Sequence, residues 1–324
     1  MSELGAAVAR ADVGELLRLV DGLCAARAWA ECWELRDRCD AAVERGHQLW
    51  PVSNHIEYRL ALEAPGEWAA RVLVEGAGQF TPGPLPEVAA STHRWADLAP
   101  WVEAGPAAAL TQAECVARGE DLTGSEIPGP VVVPTPRALE SWEPRYAVAT
   151  YHHDHGEFPT PPLPRLEPVE LPAVVTRVAD GPTCDALLGL VVRWTTQSNG
   201  RAETAAVEGT AEHAIAALGV PRARAAEVDA ATALDWMAWA GASGGAHGRR
   251  RGLALGRFDA WWAAHALAGF PPGEIDGDEL GEAVATLRWV LWDAHEPETG
   301  WTLRLAVEDP EHALAWAIAA LDAA

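Results

Sequence analysis

Apolar residues recur at three-and-four spacing through most of the first 120 positions of the chain. The run Val13-Gly-Glu-Leu-Leu-Arg-Leu-Val20 and residues 30–43 carry that spacing, which predicts amphipathic helices with a break near Ala28. Gly46 follows as a C-cap, a place where a left-handed residue ends a helix. The pattern predicts further helices over residues 55–62, 66–74, 87–103 (interrupted at Pro100) and 110–117, with a Gly/Pro loop over 76–86. Residues 1–123 therefore read as an all-helical bundle or a short helical stack.

After Gly124 the pattern changes. Eleven of the 24 prolines lie between Pro128 and Pro172, and residues 124–172 read as a proline-rich connector. Short strands are predicted at 131–133 and 146–151, and the prolines of 159–165 favour an extended polyproline spacer.

Residues 173–324 alternate strands and helices and predict an α+β domain, which makes the chain α+β as a whole. Residues 187–196 read as a strand, Ser198-Asn-Gly-Arg201 as a type I′ turn, 202–208 as the partner strand, and a helix follows from Thr210. A second hairpin is predicted from 287–292 and 301–307 around the turn 296–300, and Asp309-Pro310 is a helix-start signal. The run from Ala206 to Ala216 aligns with that from Ala306 to Ala315, and Trp194 and Trp292 hold comparable places. These matches predict a duplicated hairpin-plus-helix unit (184–218 and 284–323), with a helical pair over 229–270 between the copies. The repeated Glu212-His213 and Glu311-His312 then fall in first helical turns, where glutamate suits the dipole and histidine needs no special role.

Composition narrows the function. The net charge is -23, and all 24 basic residues are arginine. A lysine-free chain cannot carry a Walker A loop, a pyridoxal Schiff base, a kinase phosphate-binding lysine or a Ser-x-x-Lys nucleophile. The acidity argues against bulk nucleic-acid binding, which rests on a basic surface. The usage is that of a GC-rich, bacterial genome. No stretch has signal-peptide or membrane-span organisation, and the five cysteines form no CxxC pair, so reduced thiols in a cytoplasm are expected. Cys32 and Cys39 are two helical turns apart, too far to bridge. The sixteen tryptophans are expected to fill the core.

Against this acidity, the loop 241–252 holds five glycines and three consecutive arginines just before a predicted helix. Cations at a helix N-terminus oppose the dipole and call for compensation. A bound phosphate or carboxylate would supply it, which makes Ser243, Gly244, Gly245, His247, Gly248, Arg249, Arg250 and Arg251 a candidate anion site. Pairing with the protein's own carboxylates is the alternative. Ser243 with His247 is a weaker candidate for a nucleophile and its base. His152-His-Asp-His155 is a second candidate site: on an extended strand His153 and His155 share a face and start a metal site, with His93, Asp180 and Cys184 available as distant ligands. There is no nucleophile elbow, HExxH helix or dinucleotide glycine motif, and no cofactor is indicated. The expectation is a cytoplasmic binding or regulatory protein that engages a protein partner. A small-anion or nucleotide-binding enzyme built on the loop and a metal-dependent hydrolase built on His152–His155 are the alternatives.

Overall fold

The structure, a computed structural model, describes residues 3–126, 129–271, 276–296 and 300–323. They fall into two units, one of residues 1–132 with 149–157 and one of 133–148 with 158–324. The proline-rich segment is thus shared between them. The class is mixed α+β, as the pattern predicts.

The first unit contains α1 (Glu3–Arg10), α2 (Val13–Ala25), α3 (Trp29–Glu44), α4 (Trp50–Glu63), α5 (Gly66–Ala69), α6 (Leu85–Ala90), α7 (Trp95–Leu98) and α8 (Pro106–Ala117). Asp12 opens α2 by accepting from the Glu15 N–H at 2.9 Å. Gly46, at φ +93°, closes α3, with its N–H on the Val43 carbonyl and that of His47 on Ala42. Helix α4 starts at Trp50 rather than at His55, because Pro51 sits in its first turn, where a missing N–H costs nothing. Its buried Val52, Ile56, Tyr58 and Leu60 put it at the centre of this unit. A two-residue-per-strand hairpin, β1 (Thr150–Tyr151) and β2 (Gly156–Glu157), completes it. The expected strand at 131–133 is absent, and that at 146–151 is reduced to its last two residues.

The second unit contains β3 (Glu167–Val169), β4 (Thr176–Arg177), α9 (Gly181–Gly189), α10 (Val192–Gln197), β5 (Arg201–Glu208), α11 (Ala211–Ala217) and β6 (Ala223–Val228). There follow α12 (Ala230–Ala242), α13 (Leu253–Leu267), α14 (Gly277–Thr286), β7 (Arg288–Asp293), β8 (Trp301–Asp309) and β9 (Leu314–Asp322). The strands form one antiparallel sheet in the order β3-β6-β7-β8-β9-β5-β4. Ala205, Ala317, Ala306 and Val290 register side by side across four strands, and α11 packs on their face through Ala211, Ala214 and Ile215. The other face carries the row Ala206, Trp316, Val307 and Trp289, and α9 and α12 lie against strands of this sheet. Trp194, Trp261 and Trp289 are among the largest fully buried side chains, so tryptophan does fill this core.

In four places the second unit departs from the sequence pattern. Residues 187–197 are helical, not a strand, because Asp180 caps α9 and Pro182 occupies its first turn. The Ser198–Arg201 segment is accordingly no type I′ turn: neither Asn199 nor Gly200 has positive φ, and the Gly200 N–H caps the Trp194 carbonyl at 2.9 Å. Residues 314–322 are a strand, not a helix. The second hairpin, β7 with β8, is present as predicted, although residues 297–299 of its turn lie outside the described residues. The hairpin-plus-helix unit is therefore not repeated in kind. The aligned segments share only a strand ending at Glu208 or Asp309.

Candidate functional site

The basic loop joins α12 to α13, and internal carboxylates fill much of its demand for negative charge. Asp322, fully buried at the end of β9, accepts from the Ala246 N–H at 2.6 Å and from the Ser198 hydroxyl at 3.0 Å. A side chain on Gly245, at φ +73°, would collide with that carboxylate, and Gly244 and Gly248 pack backbone to backbone. Arg251 pairs with Asp259 and donates to the Gly241 carbonyl at 3.1 Å. Burial holds the Asp259 carboxyl above the usual aspartate range even so. Arg250 lies over the Phe158 ring at 4.6 Å. The Ser243 hydroxyl is buried and accepts from Trp194 Nε1 at 2.7 Å and from the Gly245 N–H at 3.3 Å. The backbone N–H of His247 donates to the Ser198 hydroxyl at 3.1 Å, and among the described residues its ring makes no hydrogen bond to Ser243.

At the far end of α13 the geometry is different. Trp262 and His265 are three residues apart and therefore share one helix face. The helix then closes in a Schellman motif: Gly269, at φ +75°, donates to the Ala266 carbonyl, and the Phe270 N–H to that of His265. That closure folds the Phe270 ring back onto His265, with centroids 5.3 Å apart and planes at 25°. Trp262 also stacks on His265, at 6.2 Å and 21°. His265 is 5% exposed, and its ring nitrogens have no hydrogen-bond partner among the described residues. Burial lowers its pKa, so the ring is neutral near pH 7.

These rings wall a cavity of about 520 Å³. Opposite them are the start of α9 and the turn between β8 and β9. Asp180 accepts from the Thr183 N–H at 3.3 Å and from Trp316 Nε1 at 2.8 Å, which fixes its carboxylate. Asp309 accepts from His312 Nδ1 at 2.7 Å and from the N–H groups of Glu311 and His312 at 3.0 and 3.2 Å. Burial pushes the Asp309 carboxyl up, but the hydrogen bonds from His312 and the turn outweigh it and hold it below the usual range. The hydrogen bond to Asp309 in turn raises His312, whose Nε2 is left for exchange with another group. An aspartate that fixes one imidazole nitrogen and leaves the other available is the arrangement of a general acid–base pair.

A family model described as a "Family of unknown function (DUF6183)" matches residues 14–324. The chain belongs to this family. Neither the curated proteins nor the solved structures contain a match.

The match spans both units, so the aromatic cavity and the basic loop each lie within the family's extent. Sequence reasoning named the loop and passed over the cavity, although a signal was present. A tryptophan and a histidine three apart, followed by Ala-Gly-Phe, spell a helix end that turns an aromatic ring onto its own last turn. His153 and His155, the predicted metal pair, do not converge. His155 meets His152 and Glu157 instead, while His153 lines a separate cleft in the first unit. His93 is engaged elsewhere, by the Ala64 and Ala89 carbonyls, and Asp180 lies in the cavity of the second unit.

Proposed function

We propose that this protein binds a small planar, heteroaromatic molecule in the cavity at the end of α13, with Asp309 and His312 as its acid–base pair. The observation that carries this reading is His265, buried against Trp262 and Phe270, with unpartnered ring nitrogens on the wall of a cavity of about 520 Å³. His265 lines this open cavity, so a ligand that hydrogen-bonds its ring takes the place of water there. The volume is that of small-molecule sites, and a mostly apolar wall with a few convergent polar groups is their usual form. Trp262, 40% exposed, offers a stacking face to the incoming molecule. The basic loop supports a ligand less well, because Asp322 and Asp259 already supply negative charge there.

A thermal-shift screen of planar heterocycles against the purified chain tests the proposal. A true ligand raises the melting temperature by mass action. The shift is expected to shrink in Trp262→Ala and to persist in full in Arg250→Ala. The reverse pattern, or no response to any planar compound, overturns the reading.

Engagement of a protein partner has one observation in its favour. Trp50 and Phe80, 40% and 63% exposed, meet in a tilted contact at 4.5 Å on the first unit and line a cleft of about 510 Å³. If these rings anchor a partner, the Trp50→Ala/Phe80→Ala double variant loses a partner that the wild type retains in a parallel pull-down.

A further inference from the structure

The hairpin β1–β2 of the first unit brings three metal-ligating side chains together: His152, His155 and Glu157. The turn 152–155 places His152 and His155 side by side, ring centroids 4.6 Å apart and planes at 21°. Tyr58, from the central helix α4, fixes that turn by donating its hydroxyl to the carbonyls of His152 and His155. The Nε2 atoms of His152 and His155 lie 3.6 and 3.9 Å from Glu157 Oε1, and all three ligand atoms are within 4.8 Å of one another. Two ligands of one tetrahedral ion, each about 2.0–2.2 Å from it, stand roughly 3.3 Å apart. Small side-chain shifts therefore close the set around an ion.

Two further features point the same way. His152 Nε2 is buried and has no hydrogen-bond partner, with Glu157 Oε1 beyond hydrogen-bond reach at 3.6 Å. His155 directs Nδ1 to Asp154 Oδ1 at 2.7 Å, which commits that nitrogen to the carboxylate and leaves Nε2 for a metal. A carboxylate behind a ligating imidazole is the usual support of a metal-bound histidine.

We propose that His152, His155 and Glu157 form a site for a divalent transition metal, zinc being the best fit. Two imidazoles and a carboxylate without thiolate suit zinc, whereas magnesium and calcium prefer all-oxygen sets. Three protein ligands leave one tetrahedral position for water or another molecule, unlike a closed structural site. This inference stands apart from the cavity of the second unit, and either can fail without the other.

Titration calorimetry of the full chain after dialysis against chelator provides the test, with Zn²⁺ as probe and Mg²⁺ as contrast. One equivalent of Zn²⁺ is expected to bind the wild type, and Mg²⁺ is expected to give no stoichiometric heat. His152→Ala should abolish binding, and Asp154→Asn should weaken it by roughly 10–100-fold. His153→Ala, outside the cluster, should bind as the wild type does. Apo-state melting curves check that each variant is folded; should His152→Ala unfold, the exposed Asp154→Asn decides. The proposal is overturned if the wild type shows no stoichiometric Zn²⁺ binding, if Asp154→Asn binds with wild-type affinity, or if His153→Ala loses as much as the cluster variants.

Discussion

His265 and His312 line one cavity and titrate in opposite directions. Burial lowers the pKa of His265, whereas the hydrogen bond that His312 donates to Asp309 raises that of His312. The signs follow from linkage. The stability contributed by His312 is complete below its unfolded pKa and lost as pH rises through the folded value. For His265 it is present above the unfolded pKa and lost as pH falls through the folded one. Imidazole signals followed by NMR should therefore show His312 titrating above the ordinary value of 6.5 and His265 below it. Asp309→Asn should return His312 toward that value and leave His265 unchanged. A His312 midpoint indifferent to Asp309→Asn would remove the acid–base pair from the account.

Arg257 is buried in the second unit. Its guanidinium pairs with Glu143, the side chains being 1% and 0% exposed, and donates to the Pro136 and Ala138 carbonyls at 2.8 and 3.0 Å. Removing one member of a buried pair strands the other, at a cost of about 3–5 kcal/mol. Arg257→Ala should lose that much stability to urea, read by tryptophan fluorescence. A loss below about 1 kcal/mol, the range of exposed pairs, would show that segment 135–143 is held by something else.

At the scale of elements, what the sequence reveals depends on how many faces of an element meet solvent. Helix α2 shows its period because only Leu16, Val20 and Cys24 are buried, and the three lie along one face. Strand β9 lies between β8 and β5, with the α11 face on one side and the Trp289–Trp316 row on the other. Its Ala-Trp-Ala-Ile-Ala-Ala run therefore has no alternation, and its alanines mimic a helix. The same ambiguity hid α9 and α10 in Leu187-Leu-Gly-Leu-Val-Val192. At Asp309-Pro310 the sequence signal was real and its meaning differed. Asp309 accepts from N–H groups two and three residues on, as a cap does, but Ala313 at φ +52° turns the chain into β9. That turn is what sets His312 on the cavity, a position no periodicity reveals.

The loop 243–252 depends likewise on a distant element, since its carboxylate comes from the end of β9. Asp322→Ala leaves the Ala246 N–H and the Ser198 hydroxyl without their acceptor, which should cost about 1–3 kcal/mol by chemical denaturation. Asp322→Ala with unchanged stability would mean that the loop is shaped without it.

Over the whole molecule, a net charge of -23 is balanced locally by arginine clamps. Arg288 grips Glu212, Glu227 and Glu308 at 2.8–2.9 Å. Burial pushes the Glu212 carboxyl up, but hydrogen bonds from Arg288, Thr210 and its own backbone N–H, with the charge of Arg288, together outweigh it and hold it at about 2. Its stability contribution is present above the ordinary value of 4.5 and lost as pH falls toward 2. Glu212→Gln should be less stable than the wild type at neutral pH, and the gap should close on acidification. A gap constant with pH would contradict the clamp.

No helix among the described residues is long and apolar enough to cross a membrane. The central claim concerns the cavity of the second unit, where helix end, sheet turn and helix start place Trp262, His265, His312 and Asp180 around one space. Its most direct test is the dissociation constant of the best planar ligand, measured by calorimetry for the wild type, Trp262→Ala and His265→Phe. The phenylalanine keeps the aromatic stack and removes the ring nitrogens. If His265 hydrogen-bonds the ligand, His265→Phe should weaken binding by about tenfold, the worth of one such bond in a buried site, and Trp262→Ala by a similar factor. Dissociation constants equal to the wild type's in both variants would place the ligand elsewhere and contradict the account.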